Sequence, residues 1–126
     1  MQYALPWLAL LAISLTGDIN AAQRWIYAGG LNTLLTHLFK FIFNHTKLGK
    51  RPDGGSHAFP SGHTSSAFMG AAYIHFYFGI LWGIIAYAFA ALTGYSRVQA
   101  SRHWWRDVIA GAVLAIVITY LTFLII

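Results

Sequence analysis

Three residues in the second half of the chain have the types and the spacing that phosphoryl chemistry requires: Arg97, His103 and Asp107. The histidine and the aspartate are four residues apart, so on a helix they would share one face. The carboxylate could then accept the proton of one ring nitrogen and leave the other nitrogen free to attack or to transfer a proton. The alternative is a structural histidine at a helix start with a carboxylate in the first turn, and the pair alone slightly favours that alternative.

Arg97 precedes the histidine in a segment that we expect to be a loop, over residues 95–102. Its planar guanidinium can donate two parallel hydrogen bonds to a phosphate, so it could both bind and orient that group. The alternative is an arginine whose charge reaches the lipid headgroups from a helix end. We interpret Arg102 and Arg106 in that second way. The neighbouring pair Trp104-Trp105 is predicted to be an interfacial anchor, and its side chains could also line a lipid entrance.

A second cluster, Pro60-Ser61-Gly62-His63, is predicted to open a helix. The first turn of a helix presents unpaired backbone N–H groups and a partial positive charge, and both favour a phosphate. Gly62 would let the ligand come close to the backbone. Ser61 is expected to cap the helix, to bind a phosphate oxygen, or both. His63 could donate a proton to a leaving oxygen, although a lone histidine at such a position is more often structural.

Basic residues precede this helix in a loop with several glycines, predicted over residues 45–59. Arg51 is the candidate phosphate ligand in it, whereas Lys47 and Lys50 could be solvated or could contact lipid headgroups. Each of these features is weak by itself. Together with the two clusters above, they supply an anion clamp, a nucleophile, a group that orients it and an acid, which are the parts that phosphoryl transfer requires.

The composition predicts a membrane protein with one domain over residues 1–126. Hydrophobic residues make up 58% of the chain and charged residues 9%, against roughly 25% charged residues in soluble domains. The net charge of +5 is concentrated in two loops, which fits an anionic headgroup or phosphate, and no nucleic-acid partner is expected. Because the chain has no cysteine, it can form neither a disulfide nor a thiolate metal site.

Apolar runs separated by polar breakers predict an all-α fold, a multi-pass transmembrane bundle of roughly four to five spans with a polar active-site loop. The predicted helices cover residues 4–16, 25–44, 60–77, 80–94 and 103–126. Successive spans alternate in direction, so the loops over residues 45–59 and 95–102 lie on one side of the membrane. Residues that are far apart in sequence can therefore meet at one site. We interpret Thr36 and His37, within the second helix, as partners in hydrogen bonds between helices.

These residues resemble the signatures of the type-2 phosphatidic acid phosphatase family of membrane lipid phosphatases. One signature, Pro-Ser-Gly-His, is met by residues 60–63. Another, which consists of Ser-Arg, five residues, His, three residues and Asp, is met without a gap by Ser96-Arg97, His103 and Asp107. The resemblance covers about residues 38–115, and these two signatures together are a specific match.

The remaining signature, a lysine followed by six residues and Arg-Pro, is not met in the expected form. Counting back from Arg51 places Asn44 where the lysine should be. We favour Lys40 as the phosphate-binding lysine, followed by an insertion of about one helical turn. Lys47 and Lys50 stay open as alternatives.

The resemblance implies a role for each matched residue. His103 would be the nucleophile that forms a phosphohistidine, Asp107 would orient it, and His63 would protonate the leaving alcohol. The phosphate oxygens would be held by Arg51, Arg97, Lys40, Ser61 and Gly62. No metal or other cofactor is expected, because a cationic cluster would stabilise the charge of the transition state.

The predicted activity is hydrolysis of a phosphomonoester or diphosphate on a lipid, with the lipid phosphate and the bilayer as partners. The family suggests the bacterial inner membrane with the active site facing the periplasm, although most Lys and Arg residues then lie on that side, against the positive-inside rule. Candidate substrates are phosphatidylglycerophosphate, phosphatidic acid, undecaprenyl diphosphate and lipid A. Two alternatives stay open: a lipid phosphotransferase that uses the same intermediate, and a non-catalytic membrane protein that binds lipid phosphate.

Overall fold

The computed structural model describes residues 4–44, 46, 49–56, 58–101 and 103–125. All regular secondary structure in these residues is helical, which confirms the all-α fold. The helices are α1 (Ala4–Thr16), α2 (Ile19–Phe43), α3 (Gly62–Phe78), α4 (Ile80–Gln99) and α5 (Trp105–Ile125). The extent of α1 and the tight turn at Gly79 are as predicted from the sequence.

Helix α2 begins at Ile19, earlier than the predicted start at Trp25, because Asp18 caps it. The Asp18 carboxylate accepts a hydrogen bond from the Ala21 backbone N–H at 3.0 Å, which satisfies a donor that the helix itself leaves without a partner. The same side chain accepts a second bond from the Tyr77 hydroxyl at 2.9 Å. The connection between α1 and α2 is therefore short, and it is tied to the end of α3.

Helix α4 continues to Gln99, so the predicted loop over residues 95–102 is wrong in its first half. The sequence has no glycine or proline between Gly94 and the end of this helix that would stop it. The chain leaves the helical path at Ser101, which has a left-handed φ of 56°. Arg97 therefore lies in the last turn of α4 and not in a loop.

Helix α3 is the centre of the fold and packs against the other four helices. Small residues make this possible, since they let helix backbones approach closely. At Gly70 an added Cβ atom would overlap the backbone of Leu5 and Pro6 in α1. At Gly111 in α5 it would lie 2.7 Å from the backbone oxygen of Ser61, at the start of α3. These two glycines therefore determine how closely α1 and α5 can approach α3.

Polar side chains join α2 to α3 inside the bundle. The Asn32 side-chain amide donates to the Ser65 hydroxyl at 2.7 Å, and the Thr36 hydroxyl lies 2.9 Å from the same Ser65 oxygen. All three residues are buried, so these hydrogen bonds are made away from solvent. The interpretation of Thr36 as a partner in a bond between helices is thereby confirmed.

Large apolar side chains lie exposed on each of the four helices that surround α3. Examples that are more than half exposed are Leu11, Leu34, Leu81 and Ile109. Among the described residues, only α5 is both long and apolar enough to cross a bilayer, while α1 is apolar but shorter. Helix length and composition therefore do not establish a bundle of several spans, which stays a prediction.

Replacing Gly111 with alanine should destabilise the protein, because the added methyl group would push against the start of α3. Overpacking of this kind costs about 1–3 kcal/mol, so we expect a lower midpoint of thermal unfolding in detergent. The matched control is Gly30→Ala in α2, where an added Cβ atom meets nothing within 4 Å. Alanine has the higher helix propensity, so the control should unfold at the wild-type temperature or above it. Equal midpoints for the two variants would contradict the packing argument.

Candidate active site

His103 lies in the connection between α4 and α5, and Asp107 lies in the first turn of α5. The prediction that both residues belong to one helix is wrong for the histidine, because α5 begins at Trp105. The Asp107 side chain turns back and caps this helix. Its Oδ2 accepts a hydrogen bond from the Trp104 backbone N–H at 2.8 Å. The same oxygen lies 3.4 Å from Nδ1 of His103, so the imidazole and the carboxylate face each other.

The His103–Asp107 pair is withdrawn from solvent. His103 is 2% exposed and Asp107 is fully buried. The 3.4 Å between Nδ1 and Oδ2 is longer than a charge-assisted hydrogen bond, and in the described part of the chain Nδ1 has no other hydrogen-bond partner. A small rotation of the ring would bring Nδ1 onto the carboxylate. Nε2 is then the nitrogen that a ligand can reach.

The start of α3 is joined directly to the start of α5. The Ser61 backbone N–H donates to the backbone oxygen of Asp107 at 3.0 Å. The Ser61 hydroxyl accepts a bond from the Thr64 N–H at 3.3 Å and donates to the Thr64 hydroxyl at 3.0 Å. These bonds show that the Ser61 side chain caps α3, and Ser61 is fully buried. Its binding of a phosphate oxygen stays a prediction.

A cavity of about 230 Å³ lies beside this junction. The predicted site residues that line it are Lys40, Arg51, Gly62, His63 and His103. Five further residues line it that were not predicted from the sequence to belong to the site: Asn32, Thr33, Thr36, His37 and Ser66. Residues from four separate parts of the sequence therefore border one small volume.

Arg51 is held at the cavity by a tight turn. Its backbone N–H donates to the Gly55 oxygen at 2.8 Å, and the Gly54 N–H donates back to the Arg51 oxygen at 3.0 Å. Gly54 has a φ of +88°, a conformation that favours glycine. The Arg51 guanidinium Nε donates to the Ser56 carbonyl at 2.8 Å, which fixes the direction of the side chain.

Trp104 connects the two polar loops. Its indole N–H donates at 3.1 Å to the carbonyl oxygen of Lys50, the residue before Arg51, while its backbone N–H donates to Asp107. Arg106 lies over the indole, with the guanidinium carbon 5.8 Å from the ring centre. From the sequence, Trp104 was predicted to be an interfacial anchor or to line a lipid entrance, and no spacing along the chain could reveal this bond. The indole holds the Arg51 turn against the start of α5.

The remaining predicted residues lie away from the cavity wall or outside the described residues. Arg97, in the last turn of α4, is not among the described residues that line the cavity, although its charge acts on His63 from a distance. Lys50 is exposed. Two further predicted basic residues, Lys47 and Arg102, are outside the described part of the chain. The structure describes two of the three lysines considered for the lysine-Arg-Pro signature, Lys40 and Lys50. Of these two, Lys40 lines the cavity.

The cavity has a positive electrostatic character. Lys40 and Arg51 both line it, and the first turn of α3 adds the partial positive charge of a helix N-terminus. Burial lowers the pKa of His103 below its usual value, the Asp107 carboxylate opposes this in part, and the charges of Lys40 and Arg51 lower the pKa further. His103 is therefore neutral at pH 7. Within the residues described, no three His, Cys, Asp or Glu side chains form a group that could hold a metal ion.

The His103 ring should titrate below the usual histidine pKa of about 6.5 when it is followed by NMR in detergent. Arg51→Gln should raise the pKa of His103, because it removes a positive charge that disfavours the imidazolium. The ring would then gain its proton at a higher pH as the solution is acidified. Lys50→Gln, one residue away and exposed, is the matched control and should leave the titration unchanged. An unchanged or lowered pKa in Arg51→Gln would show that the two groups do not interact.

Known proteins are similar to this chain in sequence and in fold. The model of the PAP2 superfamily matches residues 7–126. A lipid A 1-phosphatase from Porphyromonas gingivalis is 39% identical over 72 residues, which cover 54% of this chain and 16% of that protein. The undecaprenyl-diphosphatase BcrC from Bacillus subtilis is 33% identical over 127 aligned residues, which cover 92% of this chain and 65% of the relative.

The crystal structure of Aquifex aeolicus LpxE matches this fold with a TM-score of 0.78 and 25% identity, over 94% of this chain and 81% of that one. The chain spans less than two thirds of the length of each of the two curated relatives above. The family match does not depend on short motifs, because it covers nearly the whole chain. The chain therefore belongs to the PAP2 superfamily, the family of phosphatases that its signatures resemble.

Proposed function

We propose that this protein is an integral membrane lipid phosphatase, which hydrolyses a phosphomonoester or diphosphate on a lipid through a phosphohistidine at His103. The observation that supports this proposal most is that Lys40, Arg51, His63 and His103 line the same cavity, which has a volume of about 230 Å³. A small positive cavity with two imidazoles suits a phosphate that is to be transferred. The names of the relatives, a lipid A 1-phosphatase and an undecaprenyl-diphosphatase, support lipid phosphates as the substrate class.

The phosphate is bound by charge and by backbone N–H groups. Lys40 and Arg51 supply cations on the cavity wall, and Gly62 opens the first turn of α3 beside them. Arg97 contributes its charge from the end of α4. Ser61 contributes indirectly, because its cap keeps the N-terminus of α3 in place. No metal ion is needed in this proposal, since the cations stabilise the charge that develops on the phosphoryl oxygens.

The first half of the reaction transfers the phosphoryl group to the protein. Nε2 of His103 attacks phosphorus, so that a P–N bond forms while the bond between phosphorus and the lipid oxygen breaks. Burial, and after it the charge of Arg97, lowers the pKa of the unliganded His63 to about 4. In this proposal the negative charge of the bound phosphate raises that pKa, so that His63 holds a proton in the complex. His63 gives this proton to the leaving oxygen, which departs as the lipid alcohol, or as the lipid monophosphate when the substrate is a diphosphate. Asp107 holds the Nδ1–H of His103 and stabilises the positive charge on the ring.

The second half releases phosphate. Neutral His63 takes a proton from a water molecule, and the water oxygen attacks phosphorus as the P–N bond breaks. Inorganic phosphate leaves, His103 is neutral again and His63 carries the proton needed for the next cycle. Both histidines line the same cavity, so one water molecule can contact His63 and the phosphoryl group together.

The protein is proposed to lie in the bacterial inner membrane as a multi-pass bundle of several spans, with the cavity facing the periplasm. The exposed apolar side chains on the four outer helices and the length of α5 support a bilayer environment. Two of the relatives are from bacteria. The excess of basic residues on the periplasmic side opposes the positive-inside rule, and phosphate binding by Lys40 and Arg51 accounts for part of that excess.

The purified protein should release phosphate from dioleoyl phosphatidic acid or undecaprenyl diphosphate in the presence of EDTA. His103→Ala should lower the rate by about a thousandfold or more, because it removes the nucleophile. The stability of the phosphorylated protein in acid or in base would identify the type of residue that carries the phosphoryl group. A radiolabelled phosphoryl group from the substrate should remain on His103 after rapid quenching in base. Vanadate should inhibit, since it occupies the same anion site in a five-coordinate form.

His75→Gln is the matched control, because His75 bonds Tyr87 between α3 and α4 and is not among the described residues at the cavity. This variant should keep the wild-type rate. Loss of activity in EDTA, or full activity of His103→Ala, would refute the mechanism. New lipid phosphate formed when a lipid alcohol is added would identify a phosphotransferase, and binding of lipid phosphate without turnover would identify a non-catalytic protein.

Trp104→Phe should lower kcat/KM about fivefold, which corresponds to loss of one hydrogen bond of about 1 kcal/mol. The phenyl ring has no N–H to donate to Lys50, so the Arg51 turn would be held less firmly. Vanadate should bind more weakly to this variant, while the midpoint of thermal unfolding changes little. Trp105→Phe is the control, because Trp105 is half exposed and contacts Tyr95 instead. Equal losses in the two variants would argue that both tryptophans act only as membrane anchors.

A further inference from the structure

We infer that the hydrocarbon chain of the substrate lies in one particular groove, formed by α1, α2 and α3. This inference rests on the proposed function and identifies the surface that would bind the lipid part of the substrate. The groove has a volume of about 570 Å³. It adjoins the phosphate cavity, because both are lined by Asn32, Thr33, His37 and Ser66.

The groove has the length of one membrane leaflet. Along α2 it reaches from His37 to Trp25, which is about 18 Å at about 1.5 Å per residue. Half of the hydrocarbon core of a bilayer is about 15 Å thick. Trp7 and Trp25 line the far end, with their ring centres 5.3 Å apart, and the Trp25 indole N–H donates to the Pro6 carbonyl at 2.8 Å. A chain attached to a phosphate in the cavity could therefore extend to the middle of the bilayer.

Polar and apolar residues are separated along the groove. The polar side chains are those that it shares with the phosphate cavity, where the linkage between phosphate and chain would lie. Ile26 and Met69 line the part beyond them, together with two adjacent glycines. Such a surface complements a linear substrate with an anionic end and an apolar chain.

The two glycines keep the groove open. A Cβ atom at Gly29 would lie 3.1 Å from the terminal methyl carbon of Met69, so this position faces α3. A Cβ atom at Gly30 would meet nothing within 4 Å. Gly30 therefore borders free space, and a side chain placed there would occupy volume that we assign to the lipid chain.

Other apolar grooves are competing locations, and one of them lies on the opposite side of α2. It has a volume of about 420 Å³ and is lined by residues of α2 and α5 together with the segment before α3, among them Phe39, Phe59 and Val113. Its described lining has no residue in common with the phosphate cavity. Continuity with the phosphate cavity therefore favours the groove at Gly30.

The test compares Gly30→Leu with Val113→Phe on two substrates, dioleoyl phosphatidic acid and the soluble p-nitrophenyl phosphate. Gly30→Leu should lower kcat/KM for the lipid about tenfold, the effect of losing the burial of about two methylene groups. It should change kcat/KM for p-nitrophenyl phosphate by less than about twofold. Val113 is half exposed in the competing groove, and Val113→Phe should leave both substrates unaffected. Equal losses on the two substrates, or a selective loss in Val113→Phe, would overturn the inference.

A binding measurement tests the same inference without turnover. Phosphatidic acid with a photoreactive diazirine in its acyl chain should label residues 25–34 of α2 in the wild type, and less so in Gly30→Leu. Excess vanadate should compete for the site and reduce the labelling. Labelling concentrated at residues 113–117 of α5, or spread evenly over the outer helices, would place the chain elsewhere. Labelling of α2 without any phosphate release would reject the hydrolase proposal while the groove assignment stands.

Discussion

The arrangement of the site depends on one backbone hydrogen bond, which the Ser61 N–H donates to the Asp107 oxygen at 3.0 Å. It joins the beginning of α3 to the first turn of α5. Gly111 lies next to this bond, and the absence of a side chain there lets the two helices approach. Because His63 follows Ser61 closely and His103 precedes α5, the same contact determines the distance between the two imidazoles.

Each helix start at this junction uses its own polar side chain as a cap. Ser61 caps α3, and Asp107 caps α5 through the Trp104 N–H. The cap on α5 has a second effect, since the carboxylate that satisfies the helix also faces Nδ1 of His103. A structural and a chemical interpretation of Asp107 are therefore compatible, because one oxygen can accept from a backbone donor and still lie beside the ring.

Positive charge is concentrated at the cavity. Lys40 and Arg51 line the cavity, while the Asp107 carboxylate is fully buried beside His103. Bringing cations together away from water costs free energy, which an anionic ligand would recover. Burial lowers the pKa of His103, and the charges of these cations lower it further. Turns and an indole hold these charges in place, since the Arg51 turn is closed by its own hydrogen bonds and is tied to Trp104.

The sequence by itself determined the helical class and the helix order, and it supplied the candidate residues for binding and transferring a phosphate, because apolar runs and the two signatures are local patterns. It left the choice among Lys40, Lys47 and Lys50 open, because an insertion breaks the spacing. It also mistook the end of α4 for a loop and could not reveal the bond of Trp104 to Lys50. Only the tertiary structure decided which side chains share the cavity, since that depends on how closely α2, α3 and α5 pack, and such distances are set by contacts between residues far apart in the chain.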